Sequence, residues 1–197
     1  PVNEVLWAAQ VGYPSLATLQ WLPLAGALLL LIMREQDLAL ILGRVLAVGE
    51  LVVAIDLYAR IDVSTSVLQF AERVDQLAYH AAADGVSVLF ILLTALLGAL
   101  LSFYGMARQQ ITPVRLLSVL LLTEASLMTM LTTMNLLWFA AASAVQLALV
   151  GYLLWRWASS PEESLALSRF LQYQLFGWCL FVAGAVVLAW SHVDVVG

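Results

Sequence analysis

The stretch "YHAAADGVSVLFILLTALLGALLSFYGM", Tyr79 to Met106, places a short polar segment directly before a long and almost wholly apolar run. An α-helix needs about 20 mainly apolar residues to cross about 30 Å of hydrocarbon, and the run that follows Asp84 is long enough. A continuous apolar run of this kind satisfies its backbone hydrogen bonds as a helix, whereas barrel strands alternate in polarity. The stretch therefore predicts a membrane-spanning helix.

The rest of the chain has the same character. Apolar residues make up 63% of it and charged residues 11%, with a mean hydropathy of +0.98, whereas a soluble domain is about a quarter charged. We expect an all-α integral membrane protein, with residues 1–197 forming a single transmembrane bundle. The first run has no basic flank or cleavage site typical of a secretory signal, so we expect it to be retained. The predicted spans are about 15–33, 38–58, 86–106, 113–133, 135–157 and 170–190.

The loop between the second and third spans is long enough to carry structure of its own. Within about residues 65–79, apolar side chains recur at helical spacing, which predicts a short amphipathic helix at the membrane interface. Two roles are open for it: a lid over its own bundle, or a helix that docks a partner. The residues that set the spacing are Val67, Phe70, Ala71, Val74, Leu77 and Ala78.

The basic residues predict the orientation of the bundle. The chain has eight Arg and no Lys, and cytoplasmic loops carry an excess of basic residues. Only Arg60 and Arg73 fall on the side of the even-numbered loops, so we expect both termini on the outer side of an inner or equivalent energy-converting membrane. The net charge is −5 and the basic residues are scattered, which argues against a nucleic-acid partner. The remaining arginines are Arg34, Arg44, Arg108, Arg115, Arg156 and Arg169.

Three polar side chains lie near the middle of predicted spans: Glu50, Glu124 and Gln146. An ionisable group at the centre of a bilayer costs about 2.5–3.5 kcal/mol on insertion scales, so it needs a partner or a function. One interpretation is a cluster that moves or senses protons. The other is that a protonated or hydrogen-bonded carboxyl only holds the helices together. Both interpretations are open from the sequence.

Other chemistry has little support in the sequence. His80 and His192 have no further His, Cys or carboxylate at ligand spacing, so we expect no metal site. Cys179 is the single cysteine, which excludes a disulfide framework. We find no phosphate-binding loop, nucleophile elbow or dinucleotide fingerprint, so we expect no cofactor and no self-contained enzyme.

Four segments resemble the antiporter-like membrane subunits of respiratory complex I, most closely subunit M. The stretch from Tyr79 resembles their third helix, in which a His is followed shortly by Asp-Gly-[Leu/Ile/Val]-Ser. "LQWLPLAGALLLLI" is similar to their opening helix. "TMNLLWFAAASAVQLALVGYLLWRWA" resembles their fifth helix, and "RFLQYQLFGWCLFVAGAVVLAW" their sixth. The motif positions here are His80, Asp84, Gly85 and Ser87.

The resemblance implies both a role and a loss. Family members carry a Glu on the fifth helix and pair it with a Lys on a broken seventh helix. In this chain, Ser143 and Ala144 stand at the position of the Trp-Glu pair. The chain contains no Lys, and we expect no seventh spanning helix. The resemblance thus implies an accessory or structural subunit packed beside other integral membrane subunits and lipid, most simply a full-length antiporter-like homologue. The alternative is a proton- or ion-conducting half-channel that uses Glu50 and Glu124, completed by a partner subunit. Asp84 is read as the N-cap of its helix.

Overall fold

The computed structural model describes residues 4–65, 67–104, 112–157 and 160–196. Within these ranges, the side chains of Trp157, Pro161, Ala189 and residues 191–196 are not described. Two residues used in the sequence arguments therefore lie outside the description, namely Arg108 and the side chain of His192.

The described residues form six helices that are long and apolar enough to cross a membrane, which confirms the predicted fold class of a multi-pass α-helical membrane protein. A one-turn helix, α1 (Trp7–Gln10), precedes them. The ends agree with the predicted spans to within a few residues, except that the last helix begins before residue 170 and continues past residue 190. The predicted end of the third span at residue 106 lies outside the described residues. The six helices are α2 (Ser15–Ile32), α3 (Gln36–Arg60), α4 (Gly85–Phe103), α5 (Pro113–Thr132), α6 (Leu136–Trp157) and α7 (Pro161–Val196).

Helix α5 is the centre of the bundle. It packs against α2, α3, α4 and α6, whereas α7 packs on α6 at the edge. Two apolar clusters surround α5. One includes Leu16, Leu57, Ile91 and Met128, and the other lies between α2, α3 and α5 and includes Leu121. The spans of α2 to α5 are therefore partly buried, while no residue in the apolar span of α7 is buried.

The predicted amphipathic helix at about residues 65–79 is wrong. The segment forms strand β2 (Leu68–Val74), which continues through a single 3-10 turn into strand β3 (Tyr79–Ala83). These strands pair antiparallel, and β1 (Glu4–Leu6) adds to β2 in parallel to complete a three-stranded sheet. Strand β2 pairs with β3 in the hairpin and with β1 about sixty residues away. This pairing satisfies the backbone, and helical periodicity could not reveal it.

A bulge explains why the apolar pattern was misleading. Phe70 adopts a positive φ of 56° and the strand register shifts between Gln69 and Glu72. The bulge lets Phe70 and Ala71 both point into the protein, as they would on a helix. Val74 and Leu77, which the helical pattern placed inside, are exposed. The hairpin packs on the core through Phe70, Tyr79, Ala81 and Ala83, so it is a lid over its own bundle.

Candidate functional site

Two carboxyl groups are buried together inside the bundle. Glu50 comes from α3 and Glu124 from α5, each near the middle of its helix. Their side chains are 1% and 2% exposed. One turn before them, Ala47 and Leu121 belong to one apolar cluster, and one turn after them, Ala54 and Met128 belong to the other, so the two carboxyls lie at the same level of the bundle. The sequence arguments selected both residues by depth alone, and the packing of α3 on α5 brings them together.

Gly98 of α4 makes the space that the Glu124 carboxyl occupies. A Cβ atom built on Gly98 would overlap the Glu124 carboxyl group. The carboxyl therefore rests directly on the backbone of α4, where only a residue without a side chain leaves room for it. The sequence arguments missed Gly98, because a glycine within an apolar helix gives no sign of the residue that faces it.

The pair has no hydrogen-bond partner among the described residues. All four carboxyl oxygens of Glu50 and Glu124 are buried, and none accepts or donates a hydrogen bond there. Around them, one helical turn away in either direction, the side chains are buried and almost all apolar. These neighbours are Ala47 and Ala54 on α3, Leu121 and Met128 on α5, and Ala95 and Ser102 on α4.

Gln146, the third sequence candidate, lies away from this pair. It accepts a short hydrogen bond from Ser126 Oγ, which joins α6 to α5. Ser126 follows Glu124 by two residues, or about 200° around a helix, so the bond lies on the opposite face of α5 from the Glu124 carboxyl. Gln146 also borders a cavity of about 370 Å³ between α5, α6 and α7, together with Ser143 and Gln174.

Ser143 and Ala144 of α6 stand where the resembling family has Trp-Glu, so Ala144 occupies the position of the Glu. Ser143 Oγ accepts a hydrogen bond of 3.1 Å from Trp178 Nε1 of α7. The same indole nitrogen lies 3.3 Å from the carbonyl oxygen of Ala140. Ser143, at the Trp position of this element, therefore takes part in packing α7 against α6.

The motif residues His80, Asp84, Gly85 and Ser87 lie at the end of the bundle that carries the sheet. Asp84 is the N-cap of α4, and its carboxylate accepts a 2.7 Å hydrogen bond from the Ser87 backbone N–H, as the sequence indicated. That hydrogen bond lowers the pKa of Asp84 below its usual value. His80 Nε2 lies 3.0 Å from Glu4 of β1, which also pairs with Arg73 at 2.8 Å.

Glu72, in the segment predicted to be an amphipathic helix, is a buried carboxyl. Its two oxygens accept hydrogen bonds from the backbone N–H groups of Leu16 and Ala17, at 2.8 and 2.9 Å. Burial raises the pKa of Glu72, and these two hydrogen bonds oppose the rise. A strand interpretation with a bulge could have placed Glu72 inside, but nothing in the local pattern favours it.

The donor groups do not assemble a metal site within the described residues, where no three His, Cys, Asp or Glu side chains lie close together. The chemistry that the Glu50–Glu124 pair offers is the binding and release of a proton in a water-poor environment. No described cofactor-binding feature accompanies it.

No protein-family model matches the chain, and no curated protein sequence matches it. A solved structure is similar, namely a chain from "the membrane-bound sulfane sulfur reductase (MBS), an archaeal respiratory membrane complex". The TM-score is 0.70 at 17% sequence identity, and the match covers 87% of this chain and 36% of that one. The chain thus spans about a third of the length of that relative, and its fold is one found in a respiratory membrane complex.

Proposed function

We propose that this chain is a membrane subunit of a multisubunit, energy-converting complex related to respiratory complex I. The observation that carries the proposal is the shared fold, with a TM-score of 0.70 over 87% of the chain. The motif at His80, Asp84, Gly85 and Ser87 supports a finer relation to the antiporter-like subunits, closest to subunit M. Partners in such an assembly are other integral membrane subunits, most simply a full-length antiporter-like homologue.

An accessory role fits the edge of the bundle. The apolar span of α7 has no buried residue, and large side chains such as Phe176, Val187 and Trp190 are more than half exposed. Lipid or a neighbouring subunit covers such a surface in a membrane. Ala144 in place of the family Glu removes one of the titratable groups that the family uses, which supports a packing role for this chain.

Purification of the native assembly in a mild detergent, followed by mass-spectrometric identification of its components, tests this role. A stoichiometric antiporter-like subunit or catalytic module is the expected result. A matched purification of an unrelated multi-pass protein from the same membrane controls for adventitious partners. Recovery of the chain alone, or only with itself, contradicts the subunit proposal.

The buried carboxyl pair supports a second function, a proton-conducting half-channel that a partner subunit completes. Two carboxylates buried side by side in hydrocarbon cannot both be ionised, because desolvation and mutual repulsion both disfavour the charged forms. The pair is therefore a place where a proton is held at the depth of the membrane core. Hydrogen-bonded glue between helices is the competing role, and the absence of described hydrogen-bond partners at all four oxygens favours the proton site.

The Glu50→Gln and Glu124→Gln variants separate these two roles in the assembled complex. Each keeps the shape of the side chain and removes its titration. We expect a loss of proton transport into vesicles with assembly intact. Asp37→Asn is the matched control, since Asp37 is an exposed carboxyl in the first turn of α3. Unchanged proton transport in both glutamine variants contradicts the half-channel and shows that the carboxyl pair has a structural role.

The proposal places the chain in an inner or equivalent energy-converting membrane with both termini outside. The N-terminal strand β1 and the β2–β3 hairpin form one sheet, so the N-terminus and the second loop share a side. Single-cysteine labelling in intact cells tests the orientation. Thiols introduced at Asp62 should react with an impermeant reagent, while those at Glu35 should not. The opposite pattern reverses the orientation.

A further inference from the structure

We propose that Gly98 is the positioning residue of the carboxyl pair: it holds the Glu124 carboxyl near Glu50 in an apolar site that binds a proton and lacks the further oxygen ligands that a metal cation needs. This inference rests on the half-channel proposed above. It adds the ion that the site binds, and it names a residue on a third helix, α4, that positions the Glu124 carboxyl.

The first step is the contact between α4 and α5. Because Gly98 has no Cβ, the Glu124 carboxyl lies on the α4 backbone, in a place that any side chain would fill. Other tightly packed glycines differ, since a Cβ at Gly26 or Gly43 would meet the methyl groups of leucine side chains. A Cβ at Gly49, the neighbour of Glu50, would meet nothing. Gly98 therefore contacts a carboxyl group, whereas Gly26 and Gly43 contact apolar side chains.

The second step is the charge around the pair. Neither α2 nor α4 carries an ionisable side chain, and α5 carries only Arg115 besides Glu124. On α3 the nearest cation in sequence is Arg44, whose Nε donates to the Ser102 carbonyl oxygen at 3.2 Å and whose guanidinium lies 5.7 Å from the Phe103 ring centroid. Arg44 therefore has its own partners, and the charge of the pair is left for a mobile ion to balance.

The third step is the choice of ion. Hard cations such as Ca²⁺ and Mg²⁺ take six or more oxygen ligands, and a hydrated cation needs still more room. The pair supplies four oxygens, and the surrounding side chains are apolar except for Ser102, whose hydroxyl donates to the Ala99 carbonyl oxygen. A proton needs no such shell, because a single carboxyl oxygen binds it covalently.

A double-mutant cycle tests the contact in the purified full-length chain. Gly98→Ala should lower Tm, because the new methyl group displaces the Glu124 carboxyl. In the Glu124→Ala background the same change should not lower Tm, since the space is then empty and Ala favours a helix over Gly. Gly49→Ala is the matched control and should not lower Tm. Equal destabilisation by Gly98→Ala in both backgrounds overturns the assignment of Gly98.

Infrared spectroscopy tests the chemistry in a detergent that contains no ester groups. The wild-type chain should show a protonated-carboxyl band, and Glu50→Gln and Glu124→Gln should each remove this band or shift its frequency. Gly98→Ala should shift the frequency of this band, because the new methyl group displaces the Glu124 carboxyl. Replacing Na⁺ by choline should leave the wild-type band in place.

The outcomes separate the two proposals. Absence of any band that depends on Glu50 or Glu124 defeats the half-channel itself, and the role of Gly98 with it. A band that is present but unchanged by Gly98→Ala defeats the positioning role alone. A band that Na⁺ removes and choline restores defeats the exclusion of cations.

Discussion

The carboxylate of Glu72 accepts a 2.8 Å hydrogen bond from the backbone N–H of Leu16, and through this contact the sheet caps α2. The first N–H groups of a helix have no partner within the helix. Pro14 at the N-cap offers no side-chain acceptor, so a residue that is distant in sequence provides it. The hairpin therefore both covers the bundle and completes the start of its first spanning helix.

Removal of this cap should destabilise the protein. Glu72→Ala leaves the N–H groups of Leu16 and Ala17 without their acceptor in a buried place, which costs about 1–3 kcal/mol. Thermal or denaturant unfolding in micelles measures the loss. Asp75→Ala, at an exposed carboxyl in the same hairpin, should change stability by less than about 0.5 kcal/mol. Equal effects of the two variants contradict the capping role.

The pH dependence of stability should carry the signature of Glu72. Because burial raises its pKa above 4.5, the folded state binds this proton more tightly than the unfolded state. Its contribution is therefore fully present below pH 4.5 and is lost as pH rises through the raised value. The difference in Tm between wild type and Glu72→Gln should fall across that window. A Tm difference that does not change with pH shows that folding does not shift the pKa of Glu72, and a Tm difference that rises with pH shows that folding lowers it.

Asp84 should give the reverse dependence at the start of α4. Its pKa lies below 3.8 because the carboxylate accepts hydrogen bonds from Ser87, so its contribution is present above that value and is lost as pH falls through the lowered one. Asp84→Ala should cost about 1 kcal/mol of stability, and Asp84→Asn should keep most of it. Chemical denaturation at neutral pH compares the two, and equal losses argue against an N-cap.

The buried hydrogen bond from Gln20 Nε2 to Thr132 Oγ1, 2.6 Å long, should couple α2 to α5. Thr132→Val leaves the amide without this acceptor, at a cost of about 1–3 kcal/mol. In the Gln20→Leu background the same change should cost less, because no donor remains. The coupling energy from this double-mutant cycle reports the bond, and a value near zero excludes it.

Gln146 and the carboxyl pair should be separable by mutation, since they lie on opposite faces of α5. Gln146→Leu removes a hydrogen bond between α5 and α6 whose expected value in a membrane is about 0.6 kcal/mol. The infrared band of the pair should be unchanged. Proton flux in the assembled complex then decides whether Gln146 belongs to the proton path. A loss of flux with an unchanged infrared band would place Gln146 in a part of the path separate from the carboxyl pair.

The sequence by itself determined the six spanning helices, their approximate ends and the N-cap at Asp84, because hydrophobic length and capping are local properties. It also found Glu50 and Glu124, since a carboxyl deep in an apolar run is conspicuous in any sequence. Only the tertiary structure decided which way those side chains face. A helix that is apolar on every side carries no stripe to distinguish lipid from protein, so the meeting of Glu50 with Glu124 over Gly98 was not predictable. The hairpin was hidden for a related reason: a bulge between β2 and β3 breaks the alternation of a strand, and the pairing with β1 depends on residues distant in sequence.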